Sequence, residues 1–229
     1  MVKKAGAETL AGEVAERLRA AVLAGRFHAG EWLRPAELRA EYGVSATVVR
    51  DALARLAEQN LAVRSPNRGY HVVPFGEQDV QELVEFRIVA ETAALRLSIE
   101  RGGLEWEGGL VAAHHRLSVA GTDPGYGSDA WFVAHGAFHL ALVSACGNAL
   151  LLESCRDGLA AGDLYLRWGR RASGIEAHGA LGERDPGPEH AAILDAALAR
   201  DADRAAALYR DHLQLTADLL AASRRAVTA

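Results

Sequence analysis

Four of the chain's nine histidines are spaced so that they could share one ligand. In "AHGAFHLALVSACGN", residues 134–148, His135 and His139 stand four positions apart among Phe138, Leu140, Leu142 and Val143. On a helix that spacing stacks two imidazoles on one face, close enough to bind one metal ion. In "EHAAILDAALARDADRAAALYRDHL" the chain reverses at "RDAD", near residue 201, eleven residues from both His190 and His212. Equal distances from the turn of an antiparallel helix pair put two residues at one height, so His190 and His212 should face each other. Two internally adjacent pairs are what a helical bundle needs to hold a transition metal in its core. The alternative is a set of buried histidines bonded to carbonyls or water. For His135 and His139 alone that alternative is the better reading; the symmetric second pair favours metal. His28, His71, His114, His115 and His178 have no such partners and are read as structural or solvent-facing.

A second group of residues points to nucleic acid. Thr47, Arg50 and Asp51 lie, at 100° per residue, opposite the apolar stripe Val49, Leu53 and Leu56. In a helix-turn-helix the second helix enters the major groove with its first residues on base edges. Arg50 can make a bidentate contact to guanine or a phosphate contact, and Thr47 suits a backbone oxygen or a thymine methyl. Arg34, before the preceding helix, and Arg68 with Gly69, at the tip of a hairpin, suit phosphate or the minor groove. The competing reading is of solvated surface arginines.

Hydrophobic patterning supplies the scaffold for both groups. Leu10, Val14, Leu18, Ala21 and Val22 recur at helical spacing until Gly25. A short helix opens at Pro35 and closes before Gly43, and another follows Ser45, whose hydroxyl suits an N-cap. "YGVS" between them is the turn. "LAVRS" and "GYHVV", around "PNRG", read as a β-hairpin, a wing. From Glu77 onward only helical patterns occur, near 77–101, 104–120, 128–145, 148–171, 189–199 and 202–223, with a Gly- and Pro-rich loop at 172–188. The expected fold is mainly α. A winged helix-turn-helix spans 7–74, a linker 75–78, and an all-helical antiparallel bundle 79–224.

Charge agrees with that division. The overall balance of −5 conceals a front of net +3 over residues 1–74 and a body of net −8, as expected if only one domain meets phosphate. No apolar run approaches the ~20 residues that span a bilayer. "MVKKAGAETLAGEVAERL" lacks the apolar stretch of a signal peptide. The two cysteines, Cys146 and Cys155, suit a reduced, cytoplasmic protein and not a disulfide scaffold.

"LAGEVAERLRAAVLAGRFHAGEWLRPAELRAEYGVSATVVRDALARLAEQNLAVRSPNRGYHVV" resembles, without interruption over residues 10–73, the winged-helix domain of the GntR superfamily of bacterial regulators. "EFRIVAETAALRLS", "AFHLALVSACGN" and "EHAAILDAALARDADRAAALYRDHL", within 79–222, resemble the all-helical FCD domain of its FadR branch. The resemblance implies a homodimer that reads operator DNA and binds a small organic acid in the helical domain. Family members usually carry arginines, both contacting DNA, where this chain has Ala46 and, often, Ala36. Arg50 and Thr47 are therefore the main matching contacts, with Arg34, Ser45, Arg68 and Gly69 around them. Many FCD domains bind a metal through one aspartate and three histidines. His139, His190 and His212 match the histidines, and His135 stands where the aspartate usually is. Four neutral imidazoles leave a divalent charge uncompensated and favour zinc or nickel over oxygen-preferring manganese or magnesium. Such a cation would attract a carboxylate effector. Arg87 matches a position that often faces the cavity and anchors effector carboxylates; from spacing alone an exposed i,i+4 pair with Glu91 is an equal reading. Asn148 matches a family position beside the helix end, where capping also explains it.

Three functions compete. The first is a non-enzymatic transcriptional regulator modulated by a carboxylate effector in a metal-containing domain. The second is a regulator for which the metal itself is the signal. The third is a histidine-ligated metalloenzyme, disfavoured because "HGAFH" lacks the internal glutamate of H-E-x-x-H and Glu189 is the only obvious acid beside a candidate ligand.

Overall fold

The computed structural model describes residues 2–74, 76–122, 127–172 and 184–228, with side chains described between 10 and 222 except at 170–172. The central part of the expected Gly- and Pro-rich loop, with His178, lies at 173–183, outside the described residues. The chain divides into two compact units, Met1–Gly76 and Glu77–Ala229.

The first unit contains α1 (Val2–Leu23), β1 (Trp32–Leu33), α2 (Pro35–Tyr42), α3 (Ala46–Glu58), β2 (Ala62–Ser65) and β3 (Gly69–Val72). Local chemistry sets the turn between α2 and α3. Pro35 opens α2, and Gly43 closes it at φ 64°, where its N–H reaches the Arg39 carbonyl. A side chain there would strain the backbone. Ser45 then caps α3, its hydroxyl accepting from the Val48 N–H at 3.3 Å. The stripe Val48, Val49, Ala52, Leu53 and Leu56 is buried against α1. On α1 the buried stripe is Ala11, Val14, Ala15, Leu18 and Val22, whereas Leu10 stays 39% exposed. Each fully buried Leu or Val is worth about 1.5–3 kcal/mol over its exposed state. The sheet has one strand more than the hairpin expected from sequence. It runs β1-β3-β2, both pairings antiparallel, with Trp32 opposite His71 and Ser65 opposite Gly69. At two residues, β1 is too short to leave a period-2 pattern.

The second unit is helical: α4 (Glu77–Arg101), α5 (Leu104–Ala120), α6 (Asp129–Val143), α7 (Ala149–Ala172), α8 (Gly187–Leu198) and α9 (Ala202–Thr228). Since α4 begins at Glu77, residues 77 and 78 stand in a helix and not in a linker. Helix α4 packs on α9, α7 and α6, and α8 packs on α9 and α5. The α8–α9 reversal is made by Arg200 at φ 59° and by Asp201, whose side chain accepts from the Arg204 N–H at 3.0 Å. Two glycines let α7 approach α4. A Cβ on Gly158 would lie 3.0 Å from Phe86 and 3.2 Å from Arg87, and one on Gly162 would collide with the Arg87 guanidinium. Among the described residues no helix is long and apolar enough to cross a membrane.

Candidate metal centre and nucleic-acid interface

His135 and His139 from α6, His190 from α8 and His212 from α9 meet inside the second unit, all buried. Each offers one ring nitrogen, and the four nitrogens lie within 4.8 Å of one another. Within the pairs, ring centroids are 4.4 Å apart for His135 and His139 and 4.7 Å for His190 and His212. Across the pairs His139 is 5.3 Å from His190 and 5.2 Å from His212. Trp131 stacks on the His135 ring at 4.5 Å.

The hydrogen bonds determine which nitrogens carry protons. Tyr209 donates to Glu91 Oε2, so its oxygen is free to accept from His139 Nδ1 at 2.9 Å. That leaves His139 Nε2 as a bare lone pair, 3.0 Å from His135 Nε2. His212 Nδ1 lies 2.8 Å from Glu189 Oε2. A carboxylate only accepts, so this shorter contact puts the proton on Nδ1 and leaves His212 Nε2 bare; the longer approach of Arg184 Nη2 to the same nitrogen, at 3.2 Å, opposes it. His190 Nε2 is buried without a partner among the described residues. Burial depresses the pKa of His135, His139 and His190 well below the ordinary 6.5, with the neighbouring imidazoles and cations adding to the effect. His212 is also lowered by burial, against the opposing pull of Glu189. With His139 Nε2 bare, His135 Nε2 is the donor of their 3.0 Å hydrogen bond, a proton that the other tautomer of the same neutral ring moves to Nδ1. Neutral imidazoles whose ring nitrogens converge, one of them orphaned, are the donor set a divalent cation requires. Acids holding the far nitrogen, directly in His212 and through a phenol in His139, are the usual outer support of such ligands.

Cations and acids around the histidines pair off. Arg87 holds Glu91 at 2.6 Å and 3.2 Å. Arg184 holds Glu189, with its Nε at 2.8 Å, and reaches the Thr216 hydroxyl at 2.8 Å. Burial alone would raise the Glu189 carboxyl, but bonds to Arg184 and His212 bring it down to about 2. A small cavity of about 20 Å³ is lined by Arg87, Trp131, His135, His139, Arg184 and His212, among others. That volume admits roughly one water. Arg87 therefore faces the cavity and pairs with Glu91 at once. The exposed pair anticipated from spacing is corrected to a buried one, with side chains 8% and 0% exposed, because α7 and α9 close over this face of α4. Asn148 is exposed and caps α7, its Oδ1 accepting from the Leu151 N–H at 3.2 Å; it does not line the cavity. Trp168 is buried, as packing requires.

Sequence reasoning missed Tyr209, Arg184 and the acidic role of Glu91. For Tyr209 a signal existed: it precedes His212 by three residues and so shares its face of α9. Arg184 and Glu91 reach the centre through tertiary packing alone.

In the first unit Thr47 and Arg50 are exposed on α3, and Arg50 has no ion pair among the described residues. Ser45 contributes its hydroxyl to the cap. Arg34 is exposed beside Glu37, 3.3 Å away. At the hairpin tip Asn67 and Gly69 have φ of 59° and 100°. Arg68 lies over the Trp32 ring at 5.0 Å, and Trp32 meets His71 edge to face at 5.1 Å.

Comparison with known proteins adds two family matches. Residues 82–215 match the FCD domain, and residues 10–72 match the bacterial regulatory proteins of the gntR family. The chain is 37% identical over 203 residues to the uncharacterised HTH-type transcriptional regulator BphR of Paraburkholderia xenovorans (strain LB400), covering 87% of this chain and 80% of the relative. It is 32% identical over 196 residues to the HTH-type transcriptional repressor GlaR of Escherichia coli (strain K12), covering 84% and 87%. The solved structure of E. coli McbR/YncC superposes with a TM-score of 0.69 at 21% identity, over 92% of this chain and 96% of that one.

Proposed function

The chain belongs to the GntR family as a transcriptional regulator with an FCD domain, and we propose that a small organic acid, held beside a zinc or nickel ion in the helical unit, controls its binding to operator DNA. The observation that carries this reading is the buried convergence of four neutral imidazoles. The donor set is all nitrogen, which favours zinc or nickel over cations that prefer oxygen. When bound, the ion supplies a positive charge that the neutral ligands do not cancel, and with it an attachment point for a carboxylate. Arg87 and Arg184 border the same cavity, and each is already neutralised by its own glutamate. The cavity is small, so an organic acid larger than a single ligating group enters only if the surrounding side chains yield. Its binding energy then favours one arrangement of the protein over another, which is the elementary form of a ligand switch.

The protein acts in this reading as a cytoplasmic homodimer on a two-fold operator, with α3 in the major groove. Arg50 and Thr47 read or position the duplex; Arg34, Arg68 and Gly69 contact its backbone or minor groove, and Ser45 holds the start of α3. A hydrolytic enzyme is disfavoured by Glu189, the acid nearest the histidines. Its pKa of about 2 and its bonds to Arg184 and His212 make it a poor general base.

Gel-shift titration on DNA flanking the protein's own gene tests the reading. The titration is run with chelator, with added zinc and with a panel of carboxylates. Arg50→Ala should weaken binding by about 5- to 150-fold, the worth of a bidentate arginine contact, with metal content unchanged. Undiminished binding by that variant refutes the groove assignment. Indifference of the wild type to metal and to every acid tested refutes the switch.

A further inference from the structure

We propose that Tyr209 is a positioning residue for the cation site: with Glu91 it forms a carboxylate–phenol–imidazole chain that holds His139 with Nε2 bare and turned toward the other three histidines. The proposal rests on reading the four histidines as a cation site.

The chain joins three helices. Glu91 comes from α4, Tyr209 from α9 and His139 from α6, and all three are 0% exposed, so no bulk water competes for their hydrogen bonds. Each proton then has one place to be. Both Glu91 oxygens are engaged by the Arg87 guanidinium, and the carboxylate can only accept. The single phenol proton goes to Glu91 Oε2. The phenol oxygen, left as an acceptor 2.9 Å from His139 Nδ1, requires a proton on that nitrogen. A neutral imidazole has only one, so Nε2 is bare, and it is this atom that lies 3.0 Å from His135 Nε2. The reverse polarity would need the glutamate to donate. Tyr209 also lies parallel to the His212 ring, at 6.4 Å and 7°, so one side chain borders two of the four imidazoles. Outer groups of this kind, which fix a ligand's tautomer and orientation, change metal affinity by about 10- to 100-fold when removed.

The test uses the full-length protein and the conservative variant Tyr209→Phe, which keeps the ring and removes only the hydroxyl. Zinc affinity is measured by competition with a chromophoric chelator. In parallel, long-range ¹H–¹⁵N spectra of histidine-labelled, metal-free protein report the tautomers, with His139 assigned by its loss in His139→Gln. Wild type should show His139 protonated at Nδ1 and bare at Nε2. Tyr209→Phe should lose that preference and bind zinc about 10- to 100-fold more weakly. A purely packing role for Tyr209 would leave the tautomer unmoved. Zinc binding by Tyr209→Phe equal to that of wild type overturns the assignment alone, as does a wild-type His139 protonated at Nε2. Wild type that takes up no zinc overturns the cation-site reading and this assignment with it. If Tyr209→Phe does not fold, the wild-type spectrum decides.

Discussion

Replacing Glu91 with glutamine isolates a buried charge. Glutamine has nearly the same shape, so no cavity opens, and its amide oxygen can still accept one bond. What disappears is the negative charge facing Arg87, whose side chain is 8% exposed while that of Glu91 is 0% exposed, and with it one acceptor oxygen, since the amide nitrogen must face a donor of Arg87 or Tyr209. Burial is the largest single influence on the Arg87 pKa and acts to lower it, but the charge and hydrogen bonds of Glu91 together outweigh it and hold the pKa above its ordinary value, so the guanidinium stays charged and would be left unpaired. Breaking one partner of a buried pair costs about 3–5 kcal/mol, a large part of the ~5–15 kcal/mol by which a domain is stable. An internal control is Glu37→Gln at the Arg34–Glu37 contact, with side chains 71% and 69% exposed, where about 0–1 kcal/mol is expected. Removing both charges in Arg87→Met/Glu91→Leu should recover part of the loss, because replacing a buried pair with apolar side chains is often neutral, whereas the buried Tyr209 hydroxyl loses its acceptor. Urea denaturation followed by tryptophan fluorescence in a Trp32→Phe background confines the signal to the helical unit, which holds Trp106, Trp131 and Trp168. The midpoint should fall with an unchanged slope. A Glu91→Gln protein within about 1 kcal/mol of wild type, the exposed-pair range, refutes the reasoning; so does a double variant as unstable as the single one.

Acid should destabilise the chelator-treated protein in two steps. His135, His139 and His190 have folded pKa values below the ordinary 6.5, so unfolded chains take up protons that folded chains refuse. Stability is full above about 6.5 and falls below it, by up to about 1.4 kcal/mol per pH unit for each histidine. Glu189, folded at about 2 against 4.5, adds stability that is present above 4.5 and lost only as the pH falls from there toward 2. Urea midpoints measured across this range check both steps, and a flat profile between neutrality and pH 5.5 contradicts the first. Gly162→Ala places a methyl group against the Arg87 guanidinium and should cost about 1–3 kcal/mol, as overpacking does. Thermal melts measure it, and an unchanged midpoint would mean that Arg87 moves aside freely.

Features set by neighbours in the chain were legible in the sequence, and those set by packing were not. Gly43 and Ser45 announce the turn because capping acts over three or four residues. His135 and His139 share a face because four residues make about one helical turn. His190 and His212 were matched by counting from a single reversal, which the structure places at Arg200 and Asp201. Glu91 and Tyr209 are 118 positions apart, and no local spacing relates them. Arg87 and Glu91 show the boundary most clearly. Their i,i+4 spacing gave the contact but not its burial, because burial depends on how α7 and α9 cover α4. The glycines of α7 that allow that cover look, in sequence, like weak points of a helix.

The arginine lying on the indole at the hairpin tip has a thermodynamic corollary. A free arginine samples many rotamers, and immobilising such a side chain on binding costs about 0.5–1.5 kcal/mol. With its guanidinium 5.0 Å above the Trp32 ring, the exposed Arg68 is biased toward one arrangement before any partner arrives, by the ~0.5–1 kcal/mol of an exposed cation–π contact. Such preorganisation lowers the entropy still to be lost on contact, and its benefit falls on the lifetime of a complex more than on the rate of encounter.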